Sequence, residues 1–277
     1  MDDIQKSAAV IRAKLPGFTP RIAFILGSGL GAVADLLKEE AQIAYSDLPG
    51  FPKPTVQGHE GNMRLGTVDG VPVAFLKGRV HLYEGVGVMS MRVMIRTLKE
   101  IGTDMLFLTN AAGSLMLSHG PGSVVAITDH INFTGINPLM GPNDENWGPR
   151  FFSMDNAWDK DGTNMLRQAG KKAGVDLGEG VYAQFLGPNF ETPAEVKMAG
   201  IMGAGLVGMS TAAENIIAAH CGLKCVGVSA VTNLAAGLSD DELSHEQTLV
   251  GAKKAEQNVA KVVREFINLY GAQRKAA

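Results

Sequence analysis

Seven apolar runs of strand length recur along the chain, at 22–26, 71–76, 105–108, 124–127, 181–186, 206–209 and 225–231. Several are nearly continuous rather than alternating, the pattern of strands covered on both faces. Between and after them lie stretches with apolar residues at helical spacing, at 89–101, 158–173, 193–202, 212–220 and 244–270. Strands interleaved with helices predict an α/β fold: a single domain, residues 1–277, built on a central mixed β-sheet flanked by helices. No Ser/Gly-rich or charged linker divides the chain. Two helix starts carry their own signals. Thr192-Pro193-Ala194-Glu195 is a capping box with proline at the first helical position, and Ser244-His245-Glu246-Gln247 repeats the Ser-x-x-Gln pattern. The segment 135–150, rich in Asn, Pro and Gly, reads as a long loop and a candidate lid or subunit contact.

Composition narrows the function classes. With 45% apolar and 19% charged residues, the chain has enough apolar material for a sizeable core. A net charge of −3 argues against non-specific nucleic-acid binding, which needs a basic surface. No run of about 18 apolar residues occurs. Met1-Asp2-Asp3-Ile4-Gln5-Lys6 lacks the basic start and apolar core of a signal peptide. The expectation is a cytoplasmic protein with neither nucleic acid nor membrane as partner. Cys221 and Cys225 flank Gly222-Leu223-Lys224. They read as reduced core thiols, because no second Cys pair or His cluster completes a zinc set and His220 alone is not enough.

The first apolar run enters Gly27-Ser28-Gly29-Leu30-Gly31-Ala32, where glycines let the backbone turn and approach an anion before a helix expected near Leu30. The string fits the dinucleotide fingerprint G-x-G-x-x-A, with Asp47 where a ribose-binding carboxylate would sit. Against that reading, Ala41-Gln42-Ile43-Ala44-Tyr45-Ser46 makes a poor buried second strand, and Asp47 runs into Leu48-Pro49-Gly50-Phe51-Pro52. Ser28 adds a hydroxyl to a nest of backbone N–H donors, which suits a smaller anion.

Further polar clusters end the later runs. Gly78-Arg79-Val80-His81-Leu82-Tyr83-Glu84-Gly85 offers a guanidinium able to grip an anion, a histidine that Glu84 can hold, and a tyrosine for a sugar or base. Thr109-Asn110-Ala111-Ala112-Gly113-Ser114 leaves the backbone open to a ligand. Gly187-Pro188-Asn189-Phe190-Glu191-Thr192 supplies a stacking face and an acceptor. Gly208-Met209-Ser210-Thr211 and Val231-Thr232-Asn233 complete the series, Asn233 being able both to donate to and to accept from a heterocycle. Each alone also reads as a solvated loop or tight turn. Together they sit where open α/β folds bind ligands.

The full set, in this order from Ile25 to Glu246, resembles the trimeric purine nucleoside phosphorylases. What the resemblance implies is reversible phosphorolysis of a purine ribo- or deoxyribonucleoside to free base and pentose 1-phosphate. No cofactor is implied, inorganic phosphate being a co-substrate. By match, Ser28, His59 (in Gly58-His59-Glu60-Gly61), Arg79, His81, the Ala111 backbone and Ser210 hold phosphate. Tyr83, Met209 and His245 line the sugar, and Phe190, Glu191 and Asn233 hold the base. Asn233, Glu191 and His81 stand as the catalytic set. Phe151 matches an aromatic that caps the sugar of a neighbouring subunit, which implies a homotrimer; core packing is its competing reading.

The chemistry expected from the resemblance is electrostatic. Positive charge develops on the sugar, where bound phosphate stabilises it and attacks C1′; negative charge develops on the purine, where Asn233 donates to N7 and Glu191 accepts from N1–H. An asparagine at 233 implies 6-oxopurine substrates, inosine and guanosine, with adenosine poor. Some bacterial members of the family accept xanthosine, a point the motifs leave open. Where many relatives have Ser-Thr-Val-Pro-Glu, this chain has Ser210-Thr211-Ala212-Ala213-Glu214, and the retained Glu214 predicts an intact helix start. The alternatives are a methylthioadenosine phosphorylase, which would favour Asp at 233 and a smaller group than His245, and more remotely a dinucleotide-dependent oxidoreductase or a non-catalytic nucleoside sensor.

Overall fold

The computed structural model describes residues 2–56, 59–85, 87–240 and 243–275; Gly58 of the Gly58-His59-Glu60-Gly61 motif lies outside them. Strand β1 (Ile22–Leu26) is buried along its whole length. Ile22, Phe24 and Leu26 face one core cluster while Ala23 and Ile25 face another, as two covered faces require. It pairs in parallel with β4 (Val71–Lys77) on one side and β5 (Met105–Ser114) on the other. The remaining strands are β2 (Lys38–Ala44), β3 (Asn62–Val68), β6 (Val124–Asn132), β7 (Leu177–Gln184), β8 (Leu206–Gly208) and β9 (Lys224–Leu234). All nine form one mixed sheet in the order β2-β3-β4-β1-β5-β8-β7-β6-β9, and β5 also pairs with β9. The ladder from β5 through β8, β7, β6 and β9 therefore returns to β5 as a ring.

Helices cover both faces. α1 (Asp3–Lys14), α2 (Val88–Glu100) and α5 (Ala212–His220) pack Ile11, Met94, Ile95 and Ile217 into one cluster. α3 (Lys160–Ala173) and α6 (His245–Lys275) pack Leu166, Val259, Val263 and Phe266 into the other. α4 (Pro193–Ile201) joins a smaller cluster with Ala183 and Val207. The mixed sheet flanked by helices meets the expectation, and both cysteines are buried, unbridged thiols that burial pushes up, to about 11 for Cys221 and about 12 for Cys225. Among the described residues no helix is long and apolar enough to cross a membrane.

Three expectations need correction, at 31–36, 177–184 and 160–173, while the reading of 41–47 holds. The segment after Leu30 forms a 3-10 helix, Gly31–Leu36, rather than an α-helix. Residues 41–44 make no buried second strand, as expected: they lie in β2, at the edge of the sheet and antiparallel to β3. Asp47 sits in a 3-10 turn, Tyr45–Asp47, so no second parallel strand carries a ribose-binding carboxylate. The strand expected at 181–186 ends at Gln184 and begins earlier, at Leu177, and the helix expected from 158 begins at Lys160 behind the Asp159 cap. The capping box at Thr192 holds, Glu195 N–H donating to Thr192 Oγ1 at 3.2 Å and Thr192 N–H to Glu195 Oε2 at 2.8 Å, and Ser244 caps the last helix through the Gln247 N–H at 3.2 Å.

Candidate active site

The glycines after β1 serve packing before they serve any ligand. A Cβ on Gly27 would fall 2.8 Å from the Asn110 Cα of β5. Gly29 has φ +74°, and a Cβ there would fall 2.6 Å from the Ala252 Cβ of α6. The loop is thus pressed between the sheet and the last helix, with Ser28 at its tip. A cavity of about 270 Å³ opens beside it, lined by Ser28, Arg79, His81, Tyr83, Ala111, Phe190, Glu191, Met209, Ser210, Asn233 and His245, among others. The sequence placed these residues in six separate clusters, with His245 apart at the start of the last helix; the fold brings them to one cavity.

Ring closure explains how. β5 and β9 run in parallel past their apolar halves, Ala111 opposite Ala230, until a register shift at Ala112/Gly113 sets Gly113 opposite Asn233. Bulges of this kind re-aim side chains next to sites. β8, held by β5 and β7, delivers Met209 and Ser210 from the other side of the ring.

One group of lining residues is cationic or hydroxylic. Arg79 is 1% exposed, and its Nη1 donates to Thr109 O at 2.7 Å and to Ser210 Oγ at 3.1 Å. Its Nε lies 2.9 Å from Glu214 Oε1 in an ion pair, and both Nε and Nη2 are buried with no hydrogen-bond partner among the described residues. His81 Nδ1 donates to Glu84 Oε1 at 3.1 Å, and the ring stacks on Tyr83 with centroids 4.8 Å apart. Burial pulls the Glu84 carboxyl upward, but hydrogen bonds from His81 and Thr55 outweigh it and bring it down to about 2. Glu84 is therefore an anion at any working pH, anchoring His81 and, through its N–H at 2.9 Å, Thr55.

His59 Nε2 lies 3.2 Å from Ser28 Oγ. Burial first, then the charges of His81 and Arg79, push this imidazole down to about 3 against the opposite pull of Glu84. His59 is therefore neutral and hydrogen-bonds without adding charge. Tyr83 and Met209 both abut Gly187: a Cβ there would lie 2.9 Å from Tyr83 Cδ1 and 2.5 Å from Met209 Sδ.

A second group suits a heterocycle. Glu191 is buried, and its Oε1 has no hydrogen-bond partner among the described residues. Burial, reinforced by the Glu195 charge, raises its carboxyl above the ordinary range. A buried carboxylate oxygen without a partner is costly unless a ligand donates to it. Asn233 Oδ1 accepts from Thr232 Oγ1 at 2.6 Å and Nδ2 donates to Leu234 O at 2.8 Å. That fixes the amide orientation and leaves one of its two N–H bonds for a ligand.

A family model described as the phosphorylase superfamily matches residues 21–268. Purine nucleoside phosphorylase 1 of Bacillus subtilis (strain 168) is 41% identical over 269 residues, 97% of this chain and 99% of that protein. The chain belongs to the purine nucleoside phosphorylases.

Two solved purine nucleoside phosphorylases of Schistosoma mansoni share the architecture. Isoform 2, in complex with cytosine and ribose-1-phosphate, aligns with a TM-score of 0.90 at 36% identity, over 96% of this chain and 95% of that one. A complex with inosine aligns with a TM-score of 0.89 at 37% identity, over the same shares. Within this phosphorylase, every expected site residue except His59 and Phe151 lines the cavity, and His59 reaches it through Ser28. Phe151 does not line it. The ring is 89% exposed, which removes the core-packing reading. Sequence reasoning missed Val56, Val207 and Thr248 as lining residues. Thr248 stands three residues after His245 on α6, on the same helix face, and that spacing was a usable signal.

Proposed function

We propose that this cavity binds inorganic phosphate beside a 6-oxopurine nucleoside and catalyses reversible phosphorolysis to free base and (deoxy)ribose 1-phosphate. The observation that carries the reading is a pair of buried atoms without a hydrogen-bond partner among the described residues, on two residues that line one cavity: the Arg79 Nη2 donor and the Glu191 Oε1 acceptor. An anion answers the first and an N–H of a heterocycle answers the second. Ser28, His59, His81, the Ala111 backbone and Ser210 complete the phosphate set; Tyr83, Met209 and His245 hold the sugar; Phe190 stacks on the base. Asn233 stabilises the departing purine anion through its free N–H. No cofactor enters the reaction. The full site takes Phe151 from a neighbouring chain, making the working unit a homotrimer.

Glu191 and Asn233 also set the base preference. Inosine and guanosine carry an N1–H that donates to the carboxylate, whereas adenine N1 has no hydrogen and turns a lone pair toward it. The test is phosphate-dependent base release from inosine, guanosine, xanthosine and adenosine. Inosine and guanosine are expected to be cleaved only with phosphate present; efficient adenosine cleavage with little from inosine would sink the reading.

A further inference from the structure

Beneath the cavity one carboxylate serves two partners. Glu214 opens α5, is fully buried, and lies 2.9 Å from Arg79 Nε through Oε1. Among the described residues it is the one carboxylate in an ion pair with Arg79. Its other oxygen, Oε2, accepts the Thr211 N–H at 2.5 Å. Thr211 has φ +85° and ψ −51°, and the Ala212 N–H donates to Ser210 O at 3.0 Å, closing a γ-turn. A β-branched residue adopts that conformation only when its surroundings force it. Asn110 Nδ2 adds a hydrogen bond to Thr211 Oγ1 at 2.9 Å.

The γ-turn is what aims Ser210 at Arg79 Nη1. Glu214 thus holds the Nε edge of the guanidinium in an ion pair and the turn by its N–H, while Nη2 has no hydrogen-bond partner among the described residues. We propose that Glu214 is the positioning residue of the phosphate site, touching no substrate and acting through Arg79 and Ser210. The proposal rests on the phosphorolysis reading above. A glutamine cannot replace it, since its amide nitrogen would face either Arg79 Nε–H or Thr211 N–H, donor against donor.

Two measurements on the full-length protein test this: initial rates with phosphate and inosine varied separately, and calorimetric titration of phosphate without nucleoside. Wild-type protein that binds phosphate but shows no phosphate-dependent cleavage would overturn the phosphorolysis reading, and the titration would still decide the role of Glu214. Glu214→Gln is expected to weaken phosphate, in KM and in calorimetric Kd, by about tenfold or more, with inosine KM changed by less than about threefold. Unchanged phosphate affinity, or a loss confined to the active fraction, would make Glu214 a folding residue and overturn the proposal. Tighter phosphate binding would make it a competing anion and overturn it equally. Should the Gln variant not fold, Glu214→Asp keeps the charge and withdraws the carboxylate by one methylene. Its phosphate KM is expected above wild type, and an unchanged value overturns the proposal.

Discussion

At Glu191, burial and ligand binding pull in opposite directions. Burial favours the protonated carboxyl, while the N1–H of a 6-oxopurine needs the carboxylate. Because the folded-state value is raised, the acceptor form is lost as pH falls through a point above the ordinary glutamate range. At saturating phosphate, kcat/KM for inosine is expected to fall on the acid side with that displaced value, and Glu191→Gln to abolish the limb. Neither Glu84 at about 2 nor His59 at about 3 titrates in that window. An acid limb at an ordinary glutamate value would remove Glu191 from the base contact. Asn233→Ala withdraws the donor to the purine and should lower kcat on the order of a hundredfold without lowering the melting temperature. Near-normal turnover in that variant would leave the purine charge to other groups. The candidate site was legible as residue types at strand ends, since Arg79, His81 and Asn233 each follow an apolar run. The partners that tune them were not: Glu214 reads in the sequence as a helix cap, and its ion pair with Arg79 exists only once the ring of strands closes.

At the scale of elements, the apolar runs located seven strands, yet several extend beyond their apolar runs. β5, β6 and β9 continue through Thr109–Ser114-type polar stretches because neighbouring strands still pair with them there, whatever the side chains. β3 escaped notice, and β2 read only as a poor buried strand, for a related reason. β2 is an edge strand with the exposed, charged start Lys38-Glu39-Glu40, and β3 carries Arg64 and Gly66, so neither shows a continuous apolar run. α1 buries only Ile4, Ser7, Ala8 and Ile11, a stripe too thin to stand out. The β1–Gly loop carries a dinucleotide-like glycine spacing that the sequence itself sets aside for a smaller anion, and its glycines serve close packing. Gly29→Ala combines a left-handed backbone with a contact against Ala252, and is expected to destabilise the fold by about 2 kcal/mol or more. A melting temperature equal to wild type would mean that the loop moves freely off α6.

At the scale of the whole molecule, the segment between β6 and α3 is pinned from below yet presents an aromatic to solvent. Arg92 of α2 donates to Pro138 O through Nε and to Met140 O through Nη2 at 2.7 Å, and the Arg96 guanidinium lies 5.5 Å from the Trp147 ring centroid. Asn143 Nδ2 donates to Gly148 O at 3.0 Å, and Phe152 packs edge-on against His220 with centroids 5.1 Å apart. Next to these anchors Phe151 stands 89% exposed. A large apolar side chain held outward on an ordered base suits an interface, because its conformation is already set before a partner arrives. Its own cavity lacks that ring, so the surface makes sense if three chains each lend Phe151 to a neighbour. Sedimentation is expected to give three times the 29.2 kDa chain mass. Phe151→Ala should raise the inosine KM by about tenfold while leaving phosphate affinity and the melting temperature of the folded chain nearly unchanged. A monomer that sediments as such and turns over inosine at the full rate would exclude the shared site, and Phe151 would then be an exposed ring with no part in catalysis.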